Sequence, residues 1–560
     1  MADQISSDFS PVTPDKLQSG KKFAANYAGE HVAGTEFVIG ALFVSWGVST
    51  YDILIGLLIG NLLAVLSWGL ITAPIATDTR LTLYAYLEKI AGRGTIKFYS
   101  IVNCILFSIL AGAMITVSAS AIRIPFGIPA QVDWYPTSVA FVLVALAVGA
   151  TVVFVAVKGF RGVARFAEIC APWMILMFIT GAMATLPVLI GATQGVESIL
   201  SFSDFLIVAN EHIWVYRESE FGFWHVAAFA WICNLSMHGA MGDMTLLRYA
   251  WKPSYGYFSA FGMFIGHYIA WICAGIMGAG AAILLGTSIT QLDAGGVAFQ
   301  SLGIAGIIAV VIAGWTTSNP TIYRAGLAFQ SVFPKLSREN ATMIVGVATT
   351  IIACFPFVFT KLIDFVGFMG ILLAPIGAII VTEHWVFPKF GLTRYWSNYK
   401  GNHTNYAAFF TWIFSMILAI YLERTGIIHL FFLLIPIWLF ASFLYIFLAI
   451  KLGAKDIYPE SHDSEKSELN RKLKESEYLK DNYSLMSSTL TNKQIKLSSR
   501  LFQFFSYLSL ALCGVLAFFA YSGGDIDQFK LMLFLFTFIY FISAFMWARV
   551  KEVHYKIRGL

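Results

Sequence analysis

Gly29-Glu30-His31-Val32-Ala33-Gly34-Thr35-Glu36-Phe37 stands inside the first long apolar run of the chain, and Asn234-Leu235-Ser236-Met237-His238-Gly239-Ala240-Met241-Gly242-Asp243 stands inside the sixth. Both stretches combine a histidine, paired glycines and an acid. They make poor continuous helix, since glycine costs about 1 kcal/mol against alanine in a helix interior. They also make poor lipid contact, because an ionisable group at membrane depth costs several kcal/mol. The two stretches occupy equivalent places in two halves of five apolar runs each. Glycine-interrupted helices at matching positions of two halves point to a transporter site built on inverted repeats. A break frees carbonyls to ligate a cation and exposes amides and a helix N-terminus to a polar substrate. The competing reading places Glu30 and His31 at the membrane interface, with the glycines serving close packing. It suits Glu36 less well, because an apolar run follows it.

The composition agrees. Of 560 residues, 58% are hydrophobic and 12% charged, with a mean hydropathy of +0.72. A soluble domain carries about 25% charged residues. Residues 53–75 and 139–157 are long enough to cross a hydrocarbon layer of about 30 Å at about 1.5 Å per residue. A soluble enzyme, a nucleic-acid binder and a disordered chain are excluded together. Walking the chain gives roughly fourteen helical spans, near 24–46, 50–76, 98–122, 137–157, 166–192, 222–250, 256–285, 303–333, 341–359, 362–387, 405–422, 428–451, 500–521 and 529–548. The six cysteines lie singly in apolar segments, without CxxC or metal-ligand spacing, and read as small buried side chains. Residues up to Lys22 hold no apolar core with a cleavage site, so the first spans are expected to insert as signal anchors.

Lysine and arginine set the sidedness. One set of alternate loops holds Arg80, Lys89, Arg93, Lys97, Lys158, Arg161, Arg165, Arg248, Lys252, Lys335, Arg338, Lys389, Arg394 and Lys400. The opposite set holds Arg123, Arg217, Lys361, Arg424 and Lys530. The basic side belongs in the cytoplasm, and both termini fall on it. The expected organisation is a cytoplasmic tail (1–23), a first repeat half (24–192), a second half (222–387), two accessory helices (405–451), a cytoplasmic linker (452–499), two extra helices (500–548) and a second cytoplasmic tail (549–560). The linker mixes Lys, Glu, Asp and Ser without an apolar period, and reads as a solvated tether, partly helical at most.

A third cluster, Ala313-Gly314-Trp315-Thr316-Thr317-Ser318-Asn319-Pro320-Thr321-Ile322-Tyr323-Arg324, lies in the eighth span. Adjacent hydroxyls followed by Asn-Pro supply oxygen ligands of the kind hard cations such as sodium take, while the proline frees a carbonyl one turn earlier. Hydroxyls that bond back to their own helix and tune its bend are the alternative.

With these clusters in place, the chain resembles the nucleobase–cation symporter family of cytosine, uracil, allantoin and hydantoin permeases. Gly47-Val48-Ser49-Thr50-Tyr51-Asp52 and Leu58-Ile59-Gly60-Asn61-Leu62-Leu63 resemble its second helix. Phe160-Arg161-Gly162 with Glu168-Ile169-Cys170-Ala171-Pro172 resembles its fifth, and Arg248-Tyr249-Ala250 the end of its sixth. Phe365-Val366-Gly367-Phe368-Met369-Gly370-Ile371-Leu372-Leu373-Ala374-Pro375-Ile376-Gly377 resembles its tenth and is the most specific match. The likeness covers residues 25–450. It implies an all-α, leucine-transporter-like fold of five-plus-five inverted repeats, with further C-terminal helices. It also implies a sodium site at Ala313, Thr316 and Thr317 with a first-helix carbonyl from Val32 to Thr35. Substrate would lie against Glu36, His238 and Asn319, with His31, Gly34, Thr35 and Asn234 of the broken segments beside them. Two departures stand out. The third helix, Gly112-Ala113-Met114-Ile115-Thr116-Val117-Ser118, lacks the tryptophan and glutamine that ring-binding relatives use. The sixth has Gly242 and Thr245 where relatives carry Asn-x-x-Asp.

The function these features imply is a secondary active symporter of the cell membrane. It would be coupled to sodium, or alternatively to protons, and carry a nucleobase-like heterocycle by alternating access, with no resident cofactor and no nucleic-acid partner. Glu36 is read as a substrate partner ahead of a proton carrier. An amino-acid or amine carrier on the same scaffold is the alternative, a Glu36–His238 site suiting a cationic amine. A membrane-embedded enzyme is disfavoured, because no His-Glu-x-x-His appears and no nucleophile stands out. The chain also has no Gly-x-x-x-x-Gly-Lys-Ser/Thr loop to power primary transport.

Overall fold

A computed structural model describes residues 10–157, 160–488 and 497–557. Lys158 lies outside the described residues, as do the side chains of Arg161, Arg165 and Glu168. Among the described residues the chain is helical, with one isolated parallel bridge between Gln18 and Ala250. Among the described residues eleven helices are long and apolar enough to cross a membrane, so the expected fourteen are not reached by that measure. The reason lies in the quoted stretches. The first run is two helices, Gly20–His31 and Thr35–Val44, separated at Val32 (φ −86°, ψ 68°). The sixth is Phe223–Ile232, Leu235–His238 and Met244–Leu247, with Met241 in the left-handed region at φ 68°. The ninth, Arg338–Ala353, has only 16 residues.

Both breaks are crossed by other helices at backbone distance. A Cβ on Gly377 of the tenth helix would lie 1.7 Å from the Gly239 carbonyl oxygen, and one on Gly266 of the seventh 2.6 Å from the His31 carbonyl. Only glycine fits such crossings. In lipid no apolar solvent effect drives helices together, so close approach of small residues takes over that task. The third helix, Leu83–Ile122, packs along the eighth, Ile304–Val332, where Ser118 Oγ donates to Val311 O at 3.3 Å. Thr116 Oγ1 donates to Ala353 O at 2.7 Å and ties in the ninth. On the other side the first run packs on the seventh and the second on the sixth. The breaks sit between these two groups.

The region after residue 451, expected as a tether partly helical at most, is helical over most of its described length. Pro459–Ser488 is a 30-residue helix, with an Arg471–Glu475 pair at 3.1 Å one turn apart. Its polarity makes it a poor span but no worse a helix, since Glu, Lys and Arg are good helix formers. The two last helices, Leu497–Tyr521 and Ile526–Ile557, pack against each other and on the fifth helix, Phe160–Ala192. Trp173 Nε1 donates to Thr537 Oγ1 at 3.1 Å, and Tyr540 OH to Ile169 O at 2.6 Å. These bonds fall in the turn around Pro172, which supplies no amide donor to its own helix. Tyr540→Phe removes the second bond without changing shape. It should lower the thermal stability of the purified protein by about 1 kcal/mol, the net worth of one hydrogen bond, as read by a melting curve in detergent.

Candidate functional site

The half-helix Gly20–His31 carries Tyr27, Glu30 and His31 on its last turns. His31 Nδ1 lies 2.9 Å from Tyr27 O, and since a carbonyl only accepts, Nδ1 bears the proton. His238 Nε2 donates to Trp231 O at 2.9 Å by the same logic, leaving its buried Nδ1 without a partner. Between them stands Trp68 of the second helix, its ring centroid 5.9 Å from His31 and 4.8 Å from His238. His267 of the seventh helix lies 5.2 Å from His31 and stacks on Trp271 at 4.4 Å. Four helices thus contribute rings to one buried cluster. Trp68 opens a π-helical turn, Trp68–Thr72, whose Thr72 hydroxyl donates to His238 O at 2.6 Å. His267 lies in a second π-helical stretch, Phe261–Ile269. Such widened turns place side chains that a regular helix would aim elsewhere, and they are frequent at functional sites.

Glu36 is buried on the second half of the first run. Trp271 Nε1 donates to its Oε2, and Thr35 Oγ1 lies 3.4 Å from Oε1. His267 Nε2 is 3.7 Å from the same Oε1 and 3.4 Å from Asn234 Nδ2. The structure therefore gathers Thr35, Glu36 and Asn234 around His267. Glu36 and His238 have different hydrogen-bond partners, Trp271 and Thr35 for the first and the Trp231 carbonyl for the second.

On the eighth helix, Thr316 and Thr317 hydroxyls approach Ala313 O at 3.1 and 3.2 Å. Thr317 Oγ1 also lies 3.4 Å from the Glu30 carbonyl. Gly34 abuts this helix, where a Cβ would meet Gly314 N at 3.1 Å. The first-helix carbonyl beside Thr317 thus comes from Glu30, ahead of the expected Val32–Thr35. The helix runs on to His31, and the last four carbonyls of a helix lack partners within it. The Glu30 carbonyl at this helix end, the Ala313 carbonyl inside the eighth helix and the two hydroxyls make an all-oxygen set at the negative end of a helix dipole, which suits a hard monovalent cation. Asn319 is held by its own helix, Nδ2 donating to Trp315 O at 2.9 Å, and its buried Oδ1 has no partner. Among the described residues no group of three His, Cys, Asp or Glu could hold a metal ion.

Beneath these groups lies a charge network that the sequence did not indicate. Arg324 pairs with Glu30, and its Nη2 lies 3.5 Å from Asp243 Oδ1. Tyr27 OH and Trp68 Nε1 donate to Asp243 Oδ2 at 3.1 and 2.7 Å. One guanidinium thus joins an acid from each broken run to the eighth helix. Asp243 and Arg324 stand in the quoted stretches, where a charge in a span was the available signal. His267, an ionisable residue in an apolar run, carried the same signal and was passed over, whereas Trp68 and Trp271 gave none, being ring residues in ordinary apolar runs. Arg324→Met leaves two buried carboxylates without their cation and should destabilise the protein by about 3–5 kcal/mol, measured as loss of folded protein on heating, whereas Tyr27→Phe should cost about 1 kcal/mol.

No protein-family model and no curated protein matches this sequence. Solved structures do. Mhp1 in an inward-facing conformation superposes with a TM-score of 0.61 at 11% identity, covering 81% of this chain and 96% of its own. Mhp1, there titled a nucleobase-cation-symport-1 family transporter, in a closed conformation with bromovinylhydantoin bound gives 0.59 at 13% identity over 81% and 96%. A Na+-coupled sialic acid symporter in a substrate-bound outward-open state gives 0.54 at 15% identity over 77% and 90%. The chain therefore has the leucine-transporter-like fold of these membrane transporters.

Proposed function

We propose that the protein is a secondary active symporter that moves a small polar heterocycle, of nucleobase or hydantoin type, across the cell membrane by alternating access, coupled to sodium. The observation that carries this reading is the meeting of the two broken runs at one buried depth, with oxygen donors from Glu30, Ala313, Thr316 and Thr317 on one side and the rings of His31, Trp68 and His238 on the other. The rings supply faces for a flat substrate that the third helix lacks. His238 Nδ1 and Asn319 Oδ1 are buried acceptors without partners, suited to the N–H edge of such a ring. The bias of Lys and Arg to one set of loops supports placing both termini in the cytoplasm. The amine carrier is disfavoured, because Glu36 already receives a donor from Trp271.

The direct test is thermal stabilisation of the purified protein by purines, pyrimidines, hydantoins and amines, with and without sodium, since a ligand of the folded state stabilises it by mass action. A heterocycle whose effect grows with sodium is the expected result, and stabilisation by amines alone would overturn the reading. With the ligand in hand, Thr317→Ala should raise the sodium concentration for half-maximal effect by about tenfold, the loss of one ligating oxygen at about 1.4 kcal/mol, leaving expression intact. Glu36→Gln keeps an acceptor for Trp271 while removing the charge. Binding weakened by about 1.5–3 kcal/mol would identify Glu36 as a direct substrate partner; the geometry leads us to expect a smaller change.

A further inference from the structure

The helix Pro459–Ser488 lies across the face where the inner ends of several helices meet. Glu475 pairs with Arg80, whose side chain is 2% exposed. Arg80 in turn donates to Arg248 O at 3.0 Å and to Ala250 O at 2.5 Å, just past the end of the sixth run. Ala250 bridges Gln18, which immediately precedes the first run, and Gln18 N donates to Tyr249 O at 2.9 Å. Lys472 Nζ meets Asp78 at 2.5 Å, and Arg471 donates to the Asp78 carbonyl. Further along, Glu468 accepts from Arg394 at 2.8 Å and from Tyr395 OH at 3.2 Å, in the loop after the tenth helix.

This attachment is ionic. Leu469 and Leu473 are 57% and 52% exposed, and a cavity of about 610 Å³ remains between the helix and Asp78, Arg80, Trp251 and His384. Tyr478 and Leu479 are half-buried on the same helix, and the hydrogen bonds and ion pairs that fasten it are made by Glu468, Arg471, Lys472 and Glu475. Its direct partners are the end of the second helix and the loop after the tenth, and through Arg80 the chain of contacts continues to the inner ends of both broken runs, elements that must separate for a site between them to open inward.

We propose that Pro459–Ser488 is a releasable strap, whose ion pairs through Glu468 and Glu475 hold the inner ends of the two broken runs closed. Opening the cytoplasmic side then requires these pairs to break or stretch, so the strap sets how often that side opens. The gating meaning rests on the alternating-access reading above, but the strap itself is testable without any substrate.

Hydrogen exchange of the full-length protein, read by mass spectrometry, provides the test. It compares wild type with the Glu468→Gln/Glu475→Gln double variant, each in dilute buffer and in about 1 M choline chloride, where the screening length falls to about 3 Å. Choline avoids changing sodium. In dilute buffer the double variant should lose protection in the strap by about tenfold, and in Gly20–His31 and Met244–Leu247 by about three- to tenfold, with Val139–Val157 unchanged. Wild type in choline chloride should move the same way. Loss of protection confined to the strap would show a passive tether and overturn the proposal. A strap that stays protected in the double variant would show that these ion pairs do not hold it, with the same consequence. Failure of all heterocycles to stabilise the protein would count against the transport reading and leave these exchange results standing.

Discussion

A lipid bilayer offers no partner to a free backbone amide or carbonyl. Two broken runs at membrane depth therefore have to be enclosed, and much of the architecture serves that enclosure. The seventh and tenth helices bring to the breaks glycines at which any Cβ would collide with the carbonyls of His31 and Gly239. Thr72 supplies the donor for the His238 carbonyl, and the eighth helix lays its hydroxyls beside the Glu30 carbonyl. Arg324 then joins the acids of both runs, so that the same side chain fixes the breaks and closes the space below them.

Enclosure also explains what was readable in the sequence. The breaks at Val32 and near Met241 follow from glycine and charge in apolar runs, and the pairing of the halves from their spacing. The all-helical membrane class follows from missing charge. Of the rings in the cluster His31 and His238 were readable and the tryptophans were not, because a tryptophan in an apolar run has no mark that separates lipid contact from site. Trp68 and His267 reach the centre by π-helical turns, and a local change of pitch leaves no periodic trace over a few residues. The Glu30 carbonyl was missed for a related reason: the helix end could be placed only to within a turn.

The linker was legible only in part. Lack of an apolar period gave a tether that is partly helical at most, but period reports only the face a helix buries in an apolar environment, not whether a helix forms. A helix fastened by arginine and glutamate at a polar surface needs no such face. Its charges, which seemed to mark it as a solvated tether, are its contacts.

The bond from Tyr540 to the Ile169 carbonyl spans 371 residues. During synthesis the fifth helix enters the membrane long before its partner exists. At about 5–20 residues per second the wait is on the order of tens of seconds. Throughout that interval the turn around Pro172 has neither Trp173's nor Ile169's later partner, and the whole ten-helix body has to assemble around an incomplete member. Birth order thus makes the C-terminal pair a late lock on an early helix, and a ribosome that stops short of residue 540 leaves a body already threaded through the bilayer but not yet fastened.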